Sequence, residues 1–113
     1  MLVKTYCAAV TALEATTITI EVNLARGTMF HLSGLADTAV KESYDRIRAA
    51  IENIGFKSPT ADLTINLSPA DIRKEGCGYD LPLAIGILAA YGKVSEDILS
   101  EYMMIGELGL DGK

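Results

Sequence analysis

At 113 residues, half of them hydrophobic, the chain has about one domain's length and enough apolar side chains for one packed core. Ten basic and 15 acidic side chains leave a net charge of −5. That balance argues against a module gripping DNA or RNA by itself, since phosphate neutralisation supplies most of such affinity. No apolar run approaches the roughly 20 residues of a membrane span, and the opening Met1-Leu2-Val3-Lys4-Thr5-Tyr6 has no basic-then-apolar leader. Cys7 and Cys77 lie far apart, with neither CxxC nor metal-ligand spacing. Two reduced thiols, a cytoplasmic location and no membrane association are expected.

In chain order, Leu2 to Val10 reads as a first strand. Thr16 to Leu24 is a cleaner one, with Ile18, Ile20, Val22 and Leu24 on one face and Thr17, Thr19, Glu21 and Asn23 on the other. Ala25-Arg26-Gly27-Thr28 turns into a third strand, Met29 to Ser33, so an antiparallel N-terminal meander is expected. Asp37 is a good N-cap for a helix whose Val40, Tyr44, Ile47, Ile51 and Ile54 form one apolar stripe. Lys41, Glu42, Asp45, Arg46, Arg48 and Glu52 read as its wet face, and Gly55 as its stop.

Leu63, Ile65 and Leu67 mark the next strand, which runs into the polar loop Arg73 to Asp80. From Leu81 to Tyr91 the chain is apolar nearly all round, so this helix is buried on several sides. Asp80 or Leu81 would cap it, with Pro82 in its first turn and Gly92 at its end. Ser95 caps a short helix through Leu99, and Tyr102 to Leu108 reads as a strand. Asp111-Gly112 then signals a tight hairpin turn, which calls for a second strand. The expectation is one domain over residues 1–113, truncated near a turn at its C-terminal end.

Among chemical motifs, Walker A, GxSxG, HExxH and GxGxxG are all absent. His31, the one histidine, falls in a strand without a neighbouring nucleophile and reads as a surface or structural residue.

Four stretches together carry a resemblance: Gly34 to Ser43, Asn66 to Asp71, Lys74-Glu75-Gly76-Cys77-Gly78-Tyr79-Asp80 running on to Ala84, and Ile105 to Gly112. In this order, and spanning the chain nearly end to end, they resemble the N-terminal domain of the magnesium-chelatase-like family of the YifB/ComM type. That family's domain is similar to the Lon protease C-terminal domain. The run of elements calls for an α+β fold in two layers, a mixed sheet of about five strands with helices on one side, and the resemblance adds a Lon-protease-like topology. It implies an AAA+ ATPase module beyond this chain, with ATP and magnesium bound by the full-length protein and no cofactor or metal in these residues. A homo-oligomer, and DNA as a partner of the full-length protein through natural transformation, are further implications.

Lon proteases carry a nucleophilic serine in the turn ahead of the buried helix and use a lysine base. Aligned through that helix, the serine falls at about Gly78, which has no side chain, and the lysine falls beyond Lys113. Cys77 is the neighbouring thiol, but it would need a base or cation to become a nucleophile. The expected reading is a degenerate active-site loop, Lys74 to Asp80, without catalytic residues. In it Gly76 or Gly78 takes positive φ, Asp80 caps the helix, helix N–H groups point freely into the loop, and Lys74 and Glu75 face solvent or a partner. A residual Lon-type peptidase and a nucleic-acid-binding module are the alternatives to a non-catalytic regulatory or assembly domain.

Overall fold

The computed structural model describes residues 2–11, 14–56 and 61–113. The chain is α+β: β1 (Leu2–Thr11), β2 (Glu14–Ala25), β3 (Phe30–Ser33), α1 (Thr38–Asn53), β4 (Asp62–Ser68), α2 (Asp80–Ala90) and a 3-10 helix (Glu96–Glu101). The four strands make one mixed sheet in the order β1-β2-β4-β3. Alternation decides which face is inside. Val3, Cys7, Ile18, Ile20, Val22, Leu63, Ile65 and Leu67 all point to one side and are buried there against α1 and α2. The opposite face is wet, with Asn66 donating to Glu21 at 2.9 Å. Residues 12 and 13, between β1 and β2, lie outside the described residues.

Two expectations about the sheet need correction. β3 is not the third strand of a meander; it pairs parallel with β4 at the far edge, Leu32 opposite Ile65. The reason is the connection. A parallel pair needs a long crossover, and α1 supplies it between β3 and β4, while β4 takes the antiparallel place beside β2. The sheet therefore has four strands rather than about five, because Tyr102 to Leu108 forms no ladder. It is an extended strap whose Met104 N–H donates to the Tyr6 carbonyl at 2.9 Å.

The helices follow their sequence signals closely. Asp37 caps α1 by accepting from the Val40 N–H at 2.8 Å, and Val40, Ile47 and Ile51 are buried as the stripe requires, with Tyr44 half-buried. Ile54, the last member expected of the stripe, is instead exposed, because it is the C-cap residue past the last helical turn. Phe56 folds back, its N–H on the Ile51 carbonyl and its ring edge-on to Tyr91 at 5.6 Å. Ile51→Ala should cost toward the lower end of about 2–5 kcal/mol through the cavity it leaves. The exposed neighbour Glu52→Ala should stay under about 0.5 kcal/mol. Chemical denaturation of the two variants checks this, and equal losses would mean that the stripe does not carry the packing.

α2 needs no polar stripe because it is enclosed. Leu83, Ala84, Ile87, Ala89 and Ala90 are buried, and the carbonyl of Pro82 accepts from the buried Thr5 hydroxyl at 2.9 Å. That bond docks the first turn of α2 onto β1. It also satisfies the buried Thr5 hydroxyl that β1 sends into the core.

Candidate functional site

Everything expected of the site lies in the loop between β4 and α2, and the fold ties that loop down at several points. The Lys74 N–H donates to the Leu35 carbonyl at 3.0 Å, and the Asp37 N–H donates to the Lys74 carbonyl at 3.0 Å. Asp37 then works twice: one carboxylate oxygen caps α1 and the other accepts from the Gly76 N–H at 3.2 Å. Gly76 sits at φ +85°, the positive value expected for Gly76 or Gly78.

Lys74 overturns its expectation. It faces neither solvent nor a partner surface; it is fully buried. Its ammonium donates to the Gly34 carbonyl at 2.5 Å and to the Pro69 carbonyl, bridging the end of β3 to the end of β4. Burial pushes its pKa below the ordinary lysine range, partly opposed by the negative charge of Asp71. Glu75, by contrast, is exposed as expected and pairs with Arg73 at 3.0 Å on the surface.

Asp80 is the other correction. The N-cap of α2 is Tyr79, with no side-chain cap bond, and Asp80 is the first helical residue. Its carboxylate turns inward, fully buried, and is gripped in two places by Arg46 of α1: Nε to Oδ2 and Nη2 to Oδ1, both at 2.9 Å. The Leu108 N–H of the strap donates to Oδ2 at 3.2 Å. Arg46 also reaches the Ala39 carbonyl and the Ser43 hydroxyl, each at 3.1 Å. So Arg46 does not belong to the wet face of α1. Burial alone would raise the Asp80 pKa, but the bonds from Arg46, Ser43 and the Leu108 N–H outweigh it and hold the carboxyl below the usual range. One carboxylate thus fastens α1, α2 and the strap together.

The helix start is not open either. The Asp80 N–H bonds to the Cys77 carbonyl at 3.1 Å and the Leu81 N–H to the Gly106 carbonyl at 3.0 Å, while Pro82 has none. The free donors expected there are occupied, because the strap runs across the helix end. Cys77 is partly exposed and carries a free thiol. Beside the loop, Cys7, Ala8 and Ala9 of the edge strand β1, together with Asp71, Arg73, Gly78, Tyr79 and Ile105, line an open cleft of about 780 Å³. Among the described residues no group of three or more His, Cys, Asp and Glu side chains could hold a metal ion. No helix among these residues is long and apolar enough to cross a membrane.

Comparison with known proteins fits this arrangement. A family model described as subunit ChlI of Mg-chelatase matches residues 20–113, the span that holds β4, the tied loop, α2 and the strap. The chain belongs to that family. It is 47% identical over 100 residues to the uncharacterized protein YifB of Escherichia coli, covering 88% of this chain and 20% of that one. It is 44% identical over 109 residues to the competence protein ComM of Haemophilus influenzae, covering 96% of this chain and 21% of that one. An uncharacterized protein of Mycobacterium tuberculosis is 41% identical over 111 residues, 97% of this chain and 22% of the relative. The chain therefore spans about a fifth of the length of these curated relatives.

Tyr79 offers a pH handle on this Mg-chelatase-family loop. Its ring is buried, and burial, with smaller contributions from the negative charges of Cys7, Asp37 and Glu75, pushes its hydroxyl up to about 12 from an ordinary 10.0. Because the folded value is the higher one, the unfolded chain loses its proton first as the pH rises. Stability should be unaffected by this group below pH 10 and fall between about 10 and 12, by on the order of 2–3 kcal/mol. Tyr79→Phe should flatten that part of an alkaline unfolding profile; an unchanged slope would remove Tyr79 as its cause.

Proposed function

We propose that this domain is a non-catalytic regulatory or assembly module of an ATP-driven AAA+ machine. The observation that carries the reading is that the loop's chemical groups are already committed within the fold. The Lys74 ammonium holds two carbonyls, the Asp80 carboxylate holds Arg46 and the strap, and the Leu81 N–H is paired with Gly106. At Gly78, where a Lon-type serine would align, there is no side chain. A nucleophile needs a base within hydrogen-bond reach and donors aimed at the developing oxyanion, and these groups are occupied elsewhere. On this reading Lys74 to Asp80 is a degenerate protease-type turn kept for its shape.

ATP and magnesium are assigned to the remainder of a full-length protein, since this chain has no Walker A loop. A homo-oligomeric assembly in the cytoplasm acting in DNA processing, with DNA bound by the full-length protein, is the corresponding role. The competence protein ComM among the relatives supports that direction.

One observation favours the second reading, a residual Lon-type peptidase: the cleft beside the loop, lined by Gly78 and Tyr79 next to an edge strand. Two experiments separate the readings. Full-length protein incubated with casein should leave it intact; cleavage that Cys77→Ala abolishes would establish the peptidase instead. Full-length protein lacking residues 1–113 should lose ATP-dependent oligomerisation in sedimentation. Unaltered assembly and ATP hydrolysis would overturn the assembly role.

A further inference from the structure

The strap has a regular inner side. Met104 donates its N–H to the Tyr6 carbonyl at 2.9 Å, Gly106 to the Gly78 carbonyl at 3.0 Å, and Leu108 to Asp80 at 3.2 Å. Every second N–H is turned to the body. In extended chain the intervening ones point the opposite way. Those belong to Ile105 and Glu107, and neither donates to an acceptor among the described residues.

The next outward donor is already paired. The Gly109 N–H bonds to the Lys113 carbonyl at 2.6 Å, and the Gly112 N–H to the Gly109 carbonyl at 3.0 Å. With Gly112 at φ +89°, residues Leu110 to Gly112 make the three-residue hairpin loop that ends on a left-handed glycine. This loop is seated as well as formed. Asn53 of α1 donates its side-chain amide to the Leu110 carbonyl at 2.5 Å, and a Cβ on Gly112 would meet the Ile54 side chain at 2.5 Å. The end of α1 thereby fixes the direction in which chain leaves the turn. Along the strap, Met103 and Ile105 stay more than half exposed, as does Leu110 in the loop.

We infer that residues 103–109 are the inner strand of a β-hairpin whose outer strand, in a protein of the relatives' length, is the chain that follows Lys113. The register follows from the closing pair. Two residues back from Gly109, Glu107 faces the second residue after Lys113, and Ile105 faces the fourth. These two positions receive the outward donors, and the side chain opposite Ile105 covers it from solvent. The hairpin makes the strap the inner strand of a two-stranded ladder, with the outer strand on the side turned away from Tyr6, Gly78 and Asp80. The inference does not depend on whether the domain regulates, assembles or cleaves.

Residue-resolved hydrogen exchange on the full-length protein tests it. The amides of Ile105 and Glu107 should be protected like those of Gly106 and Leu108, exchanging about a hundredfold or more slowly than an unstructured chain. Free exchange at Ile105 and Glu107 beside protected Gly106 and Leu108 would overturn the pairing. Protection by mere contact with another domain is distinguished by cross-linking. In a Cys77→Ser background, a short bifunctional thiol reagent should cross-link Glu107→Cys to a cysteine placed at the second residue after Lys113. It should join one at the third far less, because directly paired side chains share a face of the ladder and the next residue's side chain points to the other. Protection without that cross-link, or a cross-link formed between chains, would equally overturn it.

Discussion

Asp80→Ala should cost about 3–5 kcal/mol, the loss expected when one partner of a buried ion pair is removed. The fully buried carboxylate receives two bonds from Arg46 and one from the Leu108 N–H. Its removal strands a guanidinium beneath α2 and leaves a strap amide unpaired. The competing outcome is that Arg46, whose side chain keeps 22% exposure, swings into water. The loss would then stay near the 0–1 kcal/mol typical of surface pairs. Urea unfolding distinguishes the two, and a loss under about 1 kcal/mol would show that the pair is not what holds α1 to α2. Replacing both partners, Arg46→Met with Asp80→Leu, should recover most of the stability, because no charge is then left buried.

The same pair sets the acid side of the stability profile. The folded carboxyl sits below its ordinary value, so the unfolded chain takes up the proton first as pH falls. The stabilisation is whole above about pH 4 and is lost as the pH drops below that toward the folded value. Wild type should therefore unfold in acid with a component that the double replacement lacks.

How these features were written in the sequence differs from one to the next. The stripe of α1, its Asp37 cap and the alternation of β2 were legible, because each depends on residues a few positions apart. The place of β3 was not read locally. A short turn after β2 suggests a hairpin, whereas the order strand, helix, strand from Phe30 to Ser68 is the pattern of a parallel crossover and carries the correct answer. The Arg46–Asp80 pair also left a signal. A carboxylate opening a helix that has no other charge before Lys93 requires a partner once the helix is buried. Arg46 lies on the edge of α1 where the small residues Ala39 and Ser43 let it pass inward. The strap's extended conformation was visible in Tyr102 to Leu108. Its hydrogen-bond partners, on β1, the loop and Asp80, were not, since they depend on where three distant segments meet.

Lys74 had no local signal at all, standing between the exposed Arg73 and Glu75 in a polar loop, and it yields the other large expected effect. Lys74→Ala should cost about 3–5 kcal/mol by combining a cavity with two carbonyls deprived of their donor. Lys74→Met keeps most of the stem's volume and loses only the donor, so it should cost about 1.5–3 kcal/mol, the range for hydrogen bonds to a charged group. The ordering of the two variants is the informative part. If Lys74 were solvent-facing, as its neighbours suggest, both would fall within about 0.5 kcal/mol of wild type. The charge also has a pH signature of its own. Burial lowers the folded pKa, so the unfolded chain holds the proton longer as pH rises, and stability should increase on approaching the ordinary lysine value. Lys74→Met should abolish that rise while leaving the later fall caused by Tyr79 in place. If the rise persisted in the variant, some other buried cation would have to be its source.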